Sequence, residues 1–314
     1  MENLRRKKLT LFIKIFVGIG LLIFLIFYVD PNKIYNTYES ANKIYFLLAF
    51  LLLPINLYLQ YYKWEILSIE YFSIREKSKI LRSLFYGISG GIFTPMKSGE
   101  YVARAIPYKN TKVIDVILAT VVDKIIPIFF VVILGGTFFI VFMKSYLEFS
   151  KVTAYGLLLL YKILIFVPLY FLFSKGRMSK KLKNWLKGKK KFEKLLMKIS
   201  FLKSMNRKAF LKILFASFLY HLTFTFQMTL LLVAFSGELN LLMFFFVANL
   251  VIFAQIVIPP IALGEVGVRE GAAVYFLQNL GYSGAIGFSA ALSLFFINLL
   301  IPSIIGLTLL LNKD

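Results

Sequence analysis

"TPMKSGEYVARA" (94–105) and "PPIALGEVGVRE" (259–270) are the two stretches on which the reading of this chain turns. Superimposed, they align Pro95, Gly99, Glu100 and Arg104 with Pro260, Gly264, Glu265 and Arg269, each pair 165 residues apart. Proline removes an amide donor and clashes with the preceding helical turn, while glycine admits backbone angles closed to other residues. Each passage therefore predicts a helix stopped at depth and a new helix starting near the Gly-Glu. "GISGGIFTP" (87–95) adds three glycines to the first break.

The solvent around these breaks follows from composition. Of 314 residues 59% are hydrophobic, and uncharged runs near 20 residues recur, which is the signature of bilayer-spanning helices. Strand periodicity is absent, and an open sheet could not satisfy its backbone in lipid. Spans are expected at about 9–28, 43–63, 113–143, 152–173, 209–235 and 284–311. Apolar stretches near 80–94 and 241–260 run straight into the two charged passages. The basic start resembles a signal peptide, but its apolar part is long and no small-x-small cleavage site follows, so it reads as a retained first span.

The net charge of +22 reads as topology rather than as affinity for nucleic acid. Lys and Arg crowd the N-terminus, residues 63–82 and the loop 175–208, which places these on the cytoplasmic side together with both termini. In that loop Phe192, Leu195, Leu196, Ile199 and Leu202 form a stripe suited to a helix lying on an anionic leaflet. Three crossings separate the two charged passages, so they enter from opposite faces. The expected fold is an all-α polytopic membrane protein: about six full spans plus two re-entrant broken-helix hairpins arranged as an inverted repeat. It forms a single integral domain over 1–314 in the cell (plasma) membrane, with repeat 1 at about 43–143 and repeat 2 at about 209–311.

Broken helices in lipid are tolerated only where they face protein or a wet cavity, and a new helix start offers amide donors to an anion. A guanidinium adds a planar fork that grips phosphate oxygens in pairs. The candidate substrate-binding residues are therefore Arg104, Arg269, Glu100, Glu265, Gly99 and Gly264, with Lys97, Glu270, Asp123 and Lys124 beside them. A plainer reading has Glu100 with Arg104, and Glu265 with Arg269, as self-neutralising i,i+4 pairs. Asp123 and Lys124 could pair with each other, snorkel or line a path. Asn56, Gln60, Thr225, Thr229, Asn249, Gln255 and Asn298 suit interhelical hydrogen bonding. With no cysteine and one histidine, His221, a thiolate or His-rich metal site is excluded, and neither cofactor nor catalytic residue is expected.

"TPMKSGEYVARA", the late "IALGEVGVREGAAVYFLQNLG" with its Gly-Val-Arg-Glu, and "YYKWEIL" (61–67) together resemble the lysylphosphatidylglycerol synthase transmembrane, or flippase-like, family. Lys63 stands where that family often has Arg before Trp, and Pro127 falls where it commonly has an Asp after the acidic-basic pair. The resemblance covers roughly residues 10–311. It implies a membrane module that moves polar lipids between leaflets, fused in some relatives to an aminoacyl-transferase or a glycosyltransferase. This chain stops at Asp314 without such a domain, so it is not expected to make lysyl-lipid itself.

The resulting expectation is a flippase or scramblase for a lipid with an anionic or phosphate headgroup, with a separate lipid-synthesising enzyme as a conceivable partner. The alternatives are a membrane enzyme acting on a lipid-linked substrate and a non-catalytic membrane partner of a lipid synthase.

Overall fold

A computed structural model describes residues 20, 23–92, 94, 97–146, 149–173, 205–258 and 267–312, with side chains left aside at 151 and 164–173. Most of the first expected span, the bulk of the basic loop, and Pro95, Pro260, Gly264 and Glu265 lie outside the described residues. Among the described residues the chain is helical and contains no strand.

A short helix α1 (Pro31–Glu39) leads into α2 (Lys43–Phe72), α3 (Lys77–Ile92), α4 (Ser98–Ala103) and α5 (Val113–Tyr146). After α6 (Lys151–Phe173) come α7 (Arg207–Ser236), α8 (Leu241–Val257), α9 (Val268–Asn279) and α10 (Gly284–Phe295). A π turn, Phe296–Leu300, joins α10 to α11 (Ile301–Leu311). Among the described residues four helical stretches are long and apolar enough to cross a membrane: α2, α5, α7 and the continuous run Gly284–Leu311. On α2 the exposed residues Ile44, Leu48, Leu51, Ile55 and Tyr58 recur every three or four positions. Such a face would be an aggregation hazard in water; in a bilayer it meets the acyl chains.

Two halves of the chain run in step. Lys43 and Arg207 open 30-residue helices 164 residues apart, and Lys77 and Leu241 open the next pair at the same offset. The caps repeat too. Asn42 and Asn206 each accept amide N–H groups at their helix starts, and Ser73 and Gly237 end the helices in the left-handed region at φ 54° and 73°. α2 and α7 lie antiparallel along their length: Asn42 N–H donates to Ala234 O, Gln227 Nε2 to Ala49 O, and Asn206 N–H to Glu70.

This alignment gives the bundle two chemically different ends. One carries Arg75, Lys77, Lys79, Arg82, Lys109 and Arg207; the other carries Glu39, Lys43 and Glu238, the last accepting a hydrogen bond from the Tyr282 hydroxyl at 2.8 Å.

Without a hydrophobic drive in lipid, helices associate through close packing, and small residues set the distance. α3 packs on α11 and α8 on α5, each through a glycine. A Cβ on Gly306 would run into the carbonyl oxygen of Phe85 and the hydroxyl of Ser89; one on Gly135 would meet Phe253 Cβ and the carbonyl oxygen of Asn249. Phe85 with Asn249, and Ser89 with Phe253, are again 164 apart, so one glycine seat is used twice. Gly306→Ala should lower stability by about 1–3 kcal/mol, the usual cost of overpacking, whereas Gly156→Ala, in open space, should cost nothing. Thermal unfolding of the two variants in detergent tests this, and an unchanged midpoint for Gly306→Ala would show that the seat is not tight.

Candidate functional site

The first break is built from its glycines. α3 ends at Ile92, and α4 folds back against it because Gly87, Gly90 and Gly91 present no side chain at the contact. A Cβ on Gly90 would stand 2.7 Å from Ala103 Cβ, and one on Gly87 would stand 2.5 Å from Arg104 Cγ. Thr94 Oγ1 accepts the Gly99 N–H at 2.7 Å, and Lys97 turns the chain at φ 53°. As the sequence predicts, the new helix starts at the Gly-Glu. Arg104 is its C-cap and points its fully buried side chain back along Gly87.

There the guanidinium enters an ionic cluster. Arg104 Nη2 donates to Glu100 Oε1 at 2.7 Å and Nη1 to Asp123 Oδ2 at 3.0 Å. Lys63 Nζ donates to Asp123 Oδ1 at 3.0 Å, and Lys124 Nζ lies 2.6 Å from Glu100 Oε1. The Arg104 guanidinium stacks on Trp64 at 4.4 Å, with the Trp64 indole N–H donating to Ser83 Oγ and that hydroxyl donating to the Arg104 carbonyl. Three cations thus face two carboxylates. Lys124 is the one member that reaches outward, its side chain 33% exposed.

Asp123 and Lys124, adjacent in sequence, serve different partners instead of each other. The i,i+4 pair of Glu100 and Arg104 exists but is two members of a larger network. Lys63, read as the first base of the cytoplasmic segment 63–82 and as a stand-in for Arg beside Trp64, is instead buried in α2 as a full member of the cluster. Its signal was a lysine in the middle of an apolar helix, which in a membrane marks an ion pair or a site.

At the second break the described helix starts at Val268, after Gly267, so Arg269 lies in the first turn of α9 whereas Arg104 closes α4. Glu270 Oε2 accepts the Gly267 N–H at 2.6 Å, and its Oε1 accepts from Arg269 Nη2 at 3.1 Å. Arg269 is buried against the Phe295 ring, and its Nε, like that of Arg104, has no hydrogen-bond partner among the described residues. Glu265 and Gly264 lie outside the described residues, so the i,i+4 pair expected here has no described geometry. The amide donors of Gly99 and Gly267 are taken by Thr94 and Glu270.

The two centres lie in opposite halves of the bundle, with no ion pair or hydrogen bond joining them among the described residues. At 1.5 Å per residue, Lys63 is about 14 Å from the basic end of α2, and Arg269 about 15 Å from the opposite end of α9. Between them sits a neutral polar triad on α2, α7 and the π turn. Asn56 Nδ2 donates to Asn298 Oδ1 at 2.9 Å, and Asn298 Nδ2 to Gln227 Oε1 at 2.8 Å. These are the interhelical bonds expected of Asn56 and Asn298. Thr229, by contrast, bonds a carbonyl of its own helix, Thr225, while Asn249 bonds Phe245 of its own helix and also faces His221 of α7.

A helical multi-pass membrane protein with charged residues buried at a helix break is the class this geometry defines. The chain belongs to the family described as lysylphosphatidylglycerol synthase TM region, whose profile matches residues 11–306. Membership places it among membrane proteins concerned with lipids. Comparison with curated proteins and with solved structures gave no match.

Proposed function

We propose that this protein is a flippase or scramblase that carries a phosphate-bearing lipid between leaflets, its headgroup handled by Arg104 and Arg269 while the tails stay in the bilayer. The observation that carries this reading is the buried cluster itself, where Lys63, Arg104 and Lys124 outnumber Glu100 and Asp123. The four buried charges balance, and the excess sits on the partly exposed Lys124, where an arriving anion can meet it. Glu100 Oε1 bonds both Lys124 and Arg104, so a phosphate arriving at Lys124 can replace one anionic acceptor by another without stranding a cation. Glu100 acts as a placeholder in this scheme, and Glu265 is assigned the same task at the second break. Lys97 and Glu270 flank the two stations.

The equal helices, matched caps and paired glycine seats support an inverted repeat whose two broken hairpins, at Gly99 and Gly264, enter from opposite faces. Rocking of one repeat on the other would pass the headgroup from the Arg104 station to the Arg269 station across the polar triad. The lysine-rich end is assigned to the cytoplasm of a cell-membrane protein with both termini inside. A separate lipid-synthesising enzyme would supply the cargo.

Purified protein in liposomes tests the reading. A fluorescent phosphatidylglycerol should change leaflet faster than in protein-free vesicles. Chemically altered lipid would instead identify an enzyme, and no change of either kind would leave a non-catalytic partner. In cells, single cysteines replacing Asn110 and Asn240, in a chain without native cysteine, should label with an impermeant thiol reagent from opposite faces. Labelling from one face would overturn the orientation.

A further inference from the structure

The basic end of the bundle holds a cavity of about 920 Å³ between the start of α3 and the loop after α4. Arg75, Lys79, Arg82 and Lys109 line it, with Tyr86 and Tyr108 as aromatic walls and Ser73, Asn110 and Thr111 as neutral polar groups. Its single carboxylate, Glu76, is already paired with Lys79 at 2.6 Å. The N-terminus of α3, a 16-residue helix, adds its positive dipole end. Basic residues at this end are required by topology alone, but topology does not require them to surround a concave, hydroxyl-lined space far larger than a counterion.

The cavity is also wired to the buried cluster. The Tyr108 ring in its wall stacks on Trp64 with centroids 6.3 Å apart and planes inclined by 11°, and Trp64 also carries the Arg104 guanidinium. Arg82 in the cavity is followed by Ser83, whose hydroxyl donates to the Arg104 carbonyl at 2.6 Å.

We infer that this cavity is a second, separate binding site, a vestibule that takes the phosphate-bearing, hydroxylated headgroup of an anionic lipid from the leaflet at the basic end. It rests on the transport reading only for its role as a loading station. Arg75, Arg82 and Lys109 neutralise the phosphate, Asn110 and Thr111 meet headgroup hydroxyls, and Tyr108 and Trp64 relay occupancy to the Arg104 cluster.

Trp64 provides the readout. The chain has two tryptophans, so full-length Trp185→Phe in detergent leaves Trp64 as the only indole. Titration with dihexanoyl phosphatidylglycerol should give a saturable fluorescence change, and dihexanoyl phosphatidylcholine should give none. Arg82→Gln with Lys109→Gln should raise the apparent Kd at least tenfold, and Lys109→Glu alone should do so as well; both change exposed residues, and an unchanged thermal midpoint confirms folding. Glycerol 1-phosphate that saturates the same signal would assign recognition to the phosphate rather than to the lipid as a whole.

Equal binding of the zwitterionic lipid, or an unchanged Kd in both variants, overturns the vestibule. Liposome assays separate the two ideas. Binding lost in the variants, with no lipid movement even by the wild type, keeps the vestibule and removes the transport reading. Unchanged binding in the variants with transport intact does the reverse.

Discussion

Asp123→Asn should destabilise the folded protein by about 3–5 kcal/mol, the range for breaking a buried ion pair from one side. Asp123 takes Lys63 on one oxygen and Arg104 on the other, both at 3.0 Å, and all three side chains are at most 3% exposed. Asparagine keeps the shape and one acceptor but removes the charge, leaving Lys63 without a counter-ion in the bundle. Equilibrium unfolding in detergent measures the loss. Removing the orphaned cation as well, in Lys63→Met with Asp123→Asn, should recover a large part of it, because the cost lies in the stranded charge. A loss below about 1 kcal/mol, the worth of an exposed pair, would mean that water reaches the cluster freely.

Arg104→Lys should reduce lipid movement by about 10- to 100-fold. A lysine ammonium reaches either Glu100 or Asp123 but cannot bridge both, and it gives up the planar stack on Trp64. One lost charge-assisted hydrogen bond amounts to about 1.5–3 kcal/mol, and each 1.4 kcal/mol is a factor of ten. The charge itself survives, so insertion and yield should stay near those of the parent protein. Transport within twofold of wild type would reduce Arg104 to a neutraliser of its carboxylates. The corresponding change at Arg269, which among the described residues bonds Glu270, tests whether the second station carries equal weight.

Sequence patterning located the first break well, because Pro95, the three glycines and the Gly-Glu speak through local backbone chemistry, and Glu100, Arg104, Asp123 and Lys124 do converge. Lys63 was not legible as their partner. Its carboxylate lies 60 residues away, and the meeting depends on the register of α2 against α5, which no local pattern encodes. The same lysine, with Glu65 and Glu70, made the expected span stop at residue 63, whereas the helix runs on to Phe72. Hydropathy counts every charge as hydrated, and this one is paired inside the bundle. The contacts of Asn56 with Gln227 and Asn298 bridge 171 and 242 residues and were recognisable only as polar residues in need of partners. The later start of α9 and the π turn at Phe296–Leu300 had no signature, since both are settled by the packing around them.

The exchange of partners at the glycine seats bears on how the chain is made. α8 finds α5 already synthesised, but α3 must await α11, which leaves the ribosome much later. Until then the α3–α4 hairpin lacks its neighbour. Arg104, Lys63 and Asp123 would stand in a half-built bundle, where each charge facing lipid costs about 2.5–3.5 kcal/mol. Early helices should therefore linger beside the insertion machinery or at the membrane surface, and the α3–α4 hairpin is seated only once α11 arrives.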